Sequence, residues 1–294
     1  MKKVICILKG GLGNQLFTYA AAKRLAIYNN AELVIDVSSG FIRDYKYKRN
    51  FMLMPFNIDA RLVSYKKLMP FIRLRRKILI ELEELGLLKR KLYINQKGND
   101  FNPSILRLQF RKRIYFEGYW QSEKYFMDVK DVIYKEFEII PPLDKTNQEI
   151  AGLIKRKNSV CIHVRWFDNP NNTNAGNNLN LEYYTKAISM IKKKIVFPHF
   201  FIFSDYPEQT KQLIKLSESE STYINNNNGD ENAYADFWLM TLCDHFIIAN
   251  STFSWWGAWL SKNSSKIVIA PSQKKNDEGA WGFPCLIPEK WIMI

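Results

Sequence analysis

The chain has 294 residues, enough for one large domain or two of ordinary size, and 47% of them are hydrophobic, so a sizeable core can be buried. Its 43 lysines and arginines against 29 aspartates and glutamates make it strongly basic. No apolar run approaches the length of a membrane-spanning helix, and the run after Met1-Lys2-Lys3 is too short and wrongly flanked for a signal peptide. We therefore expect neither an integral membrane protein nor a secreted one.

The four cysteines lie far apart, and no two of them have a CxxC spacing. The three histidines show no i,i+4 spacing. These spacings argue against a disulfide scaffold and against a zinc site. Buried, reduced thiols are the better interpretation, and they predict a cytoplasmic protein without a metal centre.

Much of the excess positive charge lies between Arg61 and Lys91. Apolar residues interleave this stretch at roughly helical spacing, which predicts an amphipathic helical region. Three partners fit its charge: nucleic acid, an anionic membrane surface touched peripherally, or a small phosphorylated ligand. The alternative is a solvated helix face, which is the commonest fate of a charge run.

The first half alternates between strand and helix patterns. We predict strands over Val4–Leu8, Glu32–Val37 and Ile114–Tyr119, and a helix from about Asn14 to Tyr28. The first three of these elements in chain order form a βαβ unit.

A second alternating series begins after the double proline Pro141-Pro142, which no helix can run through. A helix is expected from Asp144 onward. The further predicted strands span residues 159–164, 200–203, 222–224, 246–249 and 267–270, and the helices 181–193, 207–216, 234–243 and 252–260. The sequence therefore predicts an α/β protein with two Rossmann-like domains, residues 1–150 and 151–294, facing a central cleft.

A glycine-rich loop follows the first predicted strand. Gly11-x-Gly13 approaches a dinucleotide fingerprint, but Leu16 stands where the third small residue belongs. Asn14 and Gln15 can donate amide hydrogens beside the backbone N–H groups of the loop, so that an anion or a sugar hydroxyl could be held there. A tight turn with an ordinary asparagine cap is the alternative.

Polar residues also end two strands of the second series. His163, Arg165 and Asp168 follow one strand in "CIHVRWFDN", and Ser204 with Asp205 ends the next in "FIFSDYPE". Side chains at the carboxyl ends of parallel strands project into the ligand crevice, where an arginine suits a diphosphate. The alternatives are a structural pair of Arg165 with Asp168, three residues apart, and a simple helix N-cap at Ser204 and Asp205.

The stretch 236–260, "DFWLMTLCDHFIIANSTFSWWGAWL", runs from a strand into a helix through Asn250-Ser251-Thr252. Unpaired N–H groups and two hydroxyls at a helix N-terminus form an anion site. Asp236 opens the preceding helix, either as an ordinary capping carboxylate or as an acceptor for two hydrogens of a guanine edge.

Three motifs together, "GGLGNQLFTYA", "HVRWFD" and "IIANSTFSWWGAWL", resemble the alpha-1,2-fucosyltransferase family (glycosyltransferase family 11) of bacteria and animals, from Lys9 to near the C-terminus. The resemblance implies a two-domain GT-B enzyme that uses GDP-L-fucose as donor, inverts the anomeric centre and needs no metal or other cofactor. In agreement, the sequence has no Asp-x-Asp motif.

The resemblance also implies roles for individual residues. Arg165 matches the arginine that binds the diphosphate, and His163 is its companion on the same strand. Asp236 matches the position that reads guanine. The complete donor-binding set is Gly11, Gly13, Gln15, His163, Arg165, Ser204, Asp236, Ser251, Thr252, Phe253 and Ser254, and the catalytic set is Arg165, Asp168 and Asn14.

The chain departs from the family at Trp166 and Phe167, which replace the usual second arginine and glycine. Any role of that arginine must be absent or supplied elsewhere. Asp168 and Glu182 are the candidates for the base that accepts the proton of the acceptor; alternatively, a weak base suffices if cleavage of the donor bond leads.

The resulting hypothesis is transfer of L-fucose to the 2-hydroxyl of a terminal galactose in a glycan, such as a lipid-linked O-antigen at the inner membrane. Nucleic acid is not an expected partner, because it would leave the polar strand ends unexplained. The alternative is an NAD(P)-dependent oxidoreductase with Asp36 on a ribose.

Overall fold

The computed structural model describes residues 1–42, 44–65, 74, 77–79, 81–82, 85, 92–167, 178–272, 281 and 284–294. The chain divides into two compact units, one of Met1–Glu138 with Phe283–Leu286, the other of Ile139–Gly282 with Ile287–Ile294. No helix in the described parts of the chain is long and apolar enough to cross a membrane.

The first unit is built on a five-stranded parallel sheet of order β3-β2-β1-β5-β4. Helix α1, Leu12–Tyr28, follows β1 and is buried on nearly all sides, which its alanines permit. A short helix, α2, spans Lys130–Glu136. The strands are β1 Lys2–Ile7, β2 Ala31–Asp36, β3 Arg61–Val63, β4 Tyr93–Asn95 and β5 Arg113–Glu117.

The second unit contains a six-stranded parallel sheet of order β11-β10-β9-β6-β7-β8. Its strands are β6 Asn158–Val164, β7 Pro198–Ser204, β8 Ser221–Ile224, β9 His245–Ile247, β10 Val268–Ala270 and β11 Ile292–Met293. Its helices are α3 Lys145–Lys155, α4 Leu181–Lys194, α5 Pro207–Leu213, α6 Ala233–Thr241 and α7 Thr252–Leu260.

The strand order of the second unit reverses direction at β6. This strand pairs with β7 on one side and with β9 on the other, so that successive connections leave it in opposite directions. The sheet is therefore doubly wound, and the carboxyl ends of β6 and β9 flank its topological switch point, where such sheets bind ligands.

The predicted α/β architecture with two Rossmann-like units is confirmed, with most element ends within a few residues of the prediction. Strand β3 is a correction, because Arg61–Val63 was expected to begin the helical region. These residues pair with β2 instead, and Arg61 Nε lies 3.0 Å from Glu32 Oε1. Most of that region, residues 61–91, lies outside the described residues.

Candidate functional site

His163 lies near the carboxyl end of β6, at the switch point of the second sheet. Its ring centroid lies 5.6 Å from that of Phe253, in the first turn of α7. The side chain is buried, and no described residue lies within hydrogen-bond distance of Nδ1. Burial, followed by the charge of Arg165, lowers the pKa of His163 to about 3. The imidazole is thus neutral at physiological pH and presents a nitrogen that the described protein residues do not satisfy.

The start of α7 lies beside His163. Ser251 caps the helix, its Oγ accepting a hydrogen bond from the Phe253 N–H at 3.3 Å. The buried hydroxyl of Ser254 donates to the Ser251 carbonyl at 3.2 Å. Both predicted donor-binding hydroxyls therefore support the turn itself, while Thr252 opens a helix whose positive dipole end is suited to an anion.

Arg165 lies directly after β6 and is partly exposed. Its Nη1 forms an ion pair with Asp205 Oδ2 at 2.9 Å, and its guanidinium lies 5.7 Å from the Phe167 ring centroid. Asp205 also accepts a hydrogen bond from the Trp166 N–H at 3.1 Å. This ion pair differs from the Arg165–Asp168 pair that the sequence offers as an alternative, since Asp168 lies outside the described residues. The ion pair with Asp205 holds the guanidinium beside the carboxyl ends of β6 and β7.

Trp166 packs partly buried against the core of the second unit. Its Nε1 donates to Thr210 Oγ1 at 3.0 Å, and Thr210 donates to Ser204 Oγ at 2.7 Å. Ser204 Oγ also accepts from the Tyr206 N–H at 3.1 Å. Ser204 is therefore not the helix N-cap that the alternative interpretation expects, because the N-cap of α5 is Tyr206 and has no side-chain cap. Ser204 stabilises the turn before the helix, and Trp166 is anchored in the same network.

Asp236 lies in the first turn of α6 and is mostly, but not fully, buried. Its Oδ1 accepts a hydrogen bond from Asn227 Nδ2 at 2.8 Å. Burial raises the pKa of Asp236 to about 7, against the opposing effect of this hydrogen bond. The next residue, Phe237, lies 5.2 Å from Phe253 between ring centroids, which links this carboxyl to the region around His163.

The glycine loop of the first unit places its two amides differently. Gln15 is fully buried and donates both amide hydrogens to backbone carbonyls, of Gly10 at 2.9 Å and of Asn50 at 2.7 Å. Asn14 is partly exposed, and its Oδ1 accepts from Gln121 Nε2 at 2.8 Å. A Cβ on Gly10, whose φ is +75°, would lie 2.7 Å from Asn14 Nδ2, so this position requires glycine.

The remaining loop residues leave space at the helix start. Gly11 is the N-cap of α1 and supplies no side-chain cap. The nearest atom to a Cβ built there is Arg49 Nε at 4.0 Å. Gly13 is buried in the first turn of the helix. The loop therefore brings the N-terminus of α1 and the partly exposed Asn14 amide together, and a helix N-terminus of this kind suits an anion or a sugar hydroxyl.

The chain matches the model of the family described as "Glycosyl transferase family 11" over residues 3–281. The chain belongs to this family. Membership favours the sugar-transfer hypothesis over the oxidoreductase and nucleic-acid alternatives.

Three relatives of this family 11 chain are informative. It is 32% identical to an alpha-1,2-colitosyltransferase of Escherichia coli, covering 100% of this chain and 99% of the relative. It is 29% identical to the O-antigen biosynthesis glycosyltransferase WbnK of Escherichia coli, over 90% of this chain and 92% of the relative. It is 24% identical to a galactoside 2-alpha-L-fucosyltransferase of Caenorhabditis elegans, covering 93% and 73%.

Solved structures with the same fold include fucosyltransferase NodZ from Bradyrhizobium, with a TM-score of 0.51 and 16% identity. The match covers 88% of this chain and 92% of NodZ. A mutant of Arabidopsis thaliana FUT1 in complex with GDP gives a TM-score of 0.53 and 13% identity. The match covers 91% of this chain and 70% of the FUT1 chain. These likenesses confirm the expected GT-B type of fold for this family 11 chain.

Some predicted site residues of the family 11 chain are not placed together by the structure. Asp168 lies outside the described residues. Glu182, the other candidate base, is exposed in the first turn of α4. Within the described ranges no group of three or more metal-ligating side chains is arranged around a common centre, and metal independence stays a prediction.

A polar cluster at the ends of β4 and β5 was not predicted from the sequence. Gln121 Oε1, Trp120 Nε1 and Gln96 Nε2 are buried, and none has a hydrogen-bond partner among the described residues. Trp120 has a φ of +54°, which is rare for a residue with a side chain and costly unless the surroundings enforce it. The available signal was Gly118, at the end of a predicted strand and directly before these residues.

Proposed function

We propose that this chain is an inverting glycosyltransferase that moves L-fucose from GDP-L-fucose to the 2-hydroxyl of a terminal galactose in a surface glycan. The observation that carries the proposal is the group of residues at the switch point of the second unit. A buried imidazole with an unsatisfied nitrogen, an arginine and a helix N-terminus suit a diphosphate. Family membership and the relatives' names support sugar transfer.

In this scheme the acceptor hydroxyl attacks C1 of fucose as the bond from C1 to the diphosphate oxygen breaks, through a transition state with oxocarbenium character. The proton of the acceptor passes to a base, for which Asp168 and Glu182 remain the candidates. GDP leaves with its negative charge. Arg165 and the N–H groups at Thr252 stabilise that charge without a metal, and neutral His163 donates one further hydrogen bond.

The first unit supplies the contacts to the transferred sugar in this proposal. Asn14 is the residue of the glycine loop whose amide is held in one orientation by Gln121. Gly11 leaves room for a ligand to approach the first N–H groups of α1. Gln15 does not contact the sugar in this proposal; it stabilises the conformation of the loop by donating hydrogen bonds to the carbonyls of Gly10 and Asn50.

The test compares the purified wild type with Arg165→Ala, Asp236→Ala and a matched control, Arg156→Ala, which removes an exposed arginine of the same unit. We expect Arg165→Ala to lose about 3 to 4 kcal/mol of transition-state stabilisation, a fall of roughly 100- to 1000-fold in kcat. The control should keep normal turnover. Near-normal use of GDP-L-fucose by both Arg165→Ala and Asp236→Ala would refute the site.

Colitose is a second candidate for the transferred sugar, because the relative with 32% identity over the whole chain is a colitosyltransferase. Colitose is L-fucose without its 3-hydroxyl. A site that hydrogen-bonds this hydroxyl rejects the deoxy sugar by about 10⁴-fold or more, whereas a site without such a contact discriminates far less. Comparing kcat/KM for GDP-L-fucose and GDP-colitose with one acceptor panel decides between them.

We further propose that the enzyme works in the cytoplasm on a lipid-linked acceptor, with peripheral contact to an anionic membrane through the basic region 61–91. The name of the O-antigen relative supports such an acceptor. Flotation with vesicles that contain anionic lipid, against neutral vesicles, tests the contact. Equal recovery with both would argue against it.

A further inference from the structure

Four polar side chains connect the start of α3 to Asp236 in one hydrogen-bonded series. They are Asp144, Asn147, Asn227 and Asp236. We infer that Asn147 and Asn227 are positioning residues that orient the Asp236 carboxylate and thereby set the nucleobase preference of the donor site. The inference rests on the proposed function, in which Asp236 reads the guanine of the donor.

The series begins at a helix cap. Asp144 caps α3, and its Oδ1 accepts a hydrogen bond from the Asn147 N–H at 2.9 Å. Its Oδ2 accepts a second one from Asn147 Nδ2, also at 2.9 Å. These hydrogen bonds lower the pKa of Asp144, so that this carboxylate is ionised and can only accept. The Asn147 amide must therefore turn its nitrogen toward Asp144.

The amide of Asn147 in turn fixes that of Asn227. Asn147 Nδ2 donates to Asn227 Oδ1 at 2.8 Å, and Asn227 Nδ2 donates back to Asn147 Oδ1 at 2.9 Å. Asn147 is buried, with 3% of its surface exposed, so its amide has little freedom to exchange these partners for water. Asn226 Nδ2 is a second donor to Asn147 Oδ1, at 3.1 Å.

These hydrogen bonds fix the orientation of the Asn227 amide. Both hydrogens of Asn227 Nδ2 are used, one toward Asn147 and the other toward Asp236 Oδ1 at 2.8 Å. A reversed Asn227 amide would set its oxygen against the carboxylate and lose both bonds. Since Asp144 dictates the orientation from the far end, a nitrogen always faces Asp236.

This orientation matters for base recognition. Guanine offers two adjacent donors, N1–H and the 2-amino group, which an ionised carboxylate accepts together, whereas the corresponding edge of adenine offers one donor and one acceptor. Burial opposes ionisation of Asp236, and the hydrogen bond from Asn227 favours it. The neighbouring Cys161 thiol on β6 is buried, and its own pKa is raised well above the usual value, so it stays neutral. Asn227 is thus the group that keeps the carboxylate both aligned and available in its charged form.

The test measures binding of GDP, IDP and ADP by calorimetry to the full chain and to Asn227→Leu, Asn227→Asp and Asn147→Leu. Asn227→Asp is nearly isosteric, so it remains informative if the leucine variants do not fold. Asn228→Ala, at an exposed position of the same loop, is the matched control. IDP lacks the 2-amino group of guanine, so the difference between its affinity and that of GDP measures the contribution of this one donor.

We expect each variant to bind GDP about tenfold more weakly while its ADP affinity is unchanged, as for loss of one hydrogen bond to a charged group. Measured from about pH 5.5 to about pH 8.5, the midpoint of GDP binding should move to higher pH in the two Asn227 variants, because the ionised carboxylate has lost its donor. The control should match the wild type in both readouts.

The outcomes separate the inference from the function it rests on. If Asp236→Ala abolishes the preference for GDP but the Asn227 variants keep both the GDP-to-ADP ratio and the pH midpoint of the wild type, the inference is wrong and the proposed function stands. If the wild type does not bind GDP at all, the proposed function itself is wrong.

Discussion

Gln15 offers a sharp test of how the glycine loop works. The sequence places it among the donor-binding residues, whereas in the structure its side chain is wholly engaged by the protein. Its Nε2 donates to the carbonyls of Gly10 and Asn50, and its Oε1 accepts from the Met52 N–H at 3.0 Å. We therefore expect Gln15→Met to affect stability far more than donor binding.

The magnitude follows from these three hydrogen bonds. Each contributes about 1 kcal/mol net, and the backbone groups left behind are only partly accessible to water, so the loss is roughly 3 kcal/mol. For a unit of this size that corresponds to a fall of roughly 6 to 12 °C in the melting temperature. Methionine keeps the length and the unbranched shape of the side chain, which limits any contribution from packing.

Thermal unfolding by circular dichroism and KM for GDP-L-fucose at low temperature measure the two effects separately. Gln109→Met, at an exposed position of the same unit, is the control and should melt as the wild type does. Gln15→Glu should be at least as unstable as the methionine variant, because a carboxylate would face two carbonyl oxygens. A Gln15→Met protein with the melting temperature of the wild type and a KM raised tenfold would refute this reasoning and restore the direct binding role.

Three further predictions concern the second unit. Ser251→Ala removes the cap of α7 and should lower the free energy of unfolding by about 1 kcal/mol, measured by urea titration, with the Phe253 N–H left unpaired. Trp166→Phe keeps the packing but loses the hydrogen bond to Thr210, so it should cost about 1 kcal/mol in the same titration and leave kcat within about twofold. The folded chain holds a proton on Asp236 more tightly than the unfolded chain, so its contribution to stability falls as pH rises from about 4 through about 7. Asp236→Asn should therefore gain in melting temperature relative to the wild type on going from pH 5 to pH 8, and an unchanged difference would contradict the raised pKa.

The fold was predictable because its main strands are long apolar runs that end at polar or turn-forming residues. β6 and β7 are buried along nearly their whole length, as parallel strands covered on both faces must be. The elements that escaped prediction are short. β3 and β4 have three residues each and β11 has two, too few to display a period of alternation. Such strands exist because a neighbouring strand offers backbone partners, which is a property of the sheet and not of the segment.

The site was predictable to a different extent. Residue type and position at a strand end make His163 and Arg165 candidates, and the structure places them at the end of β6 and directly after it. The partners of the polar side chains were not accessible in the same way, because they lie far away in the sequence. Gln121 contacts Asn14 across 107 positions, and Asn227 contacts Asn147 across 80. No local pattern encodes such pairs.

The polar side chains of the motifs divide into two groups, those that hydrogen-bond to other parts of the protein and those with a polar atom that no described residue satisfies. Gln15, Ser204 and Ser254 belong to the first group, since their hydrogens or lone pairs satisfy buried backbone and side-chain groups. The buried imidazole of His163, with its unsatisfied nitrogen, belongs to the second. Since leaving a buried polar atom unpaired costs about 1 to 3 kcal/mol, that nitrogen is stabilised when a ligand or a water completes it, which is why the proposed donor site is built around it.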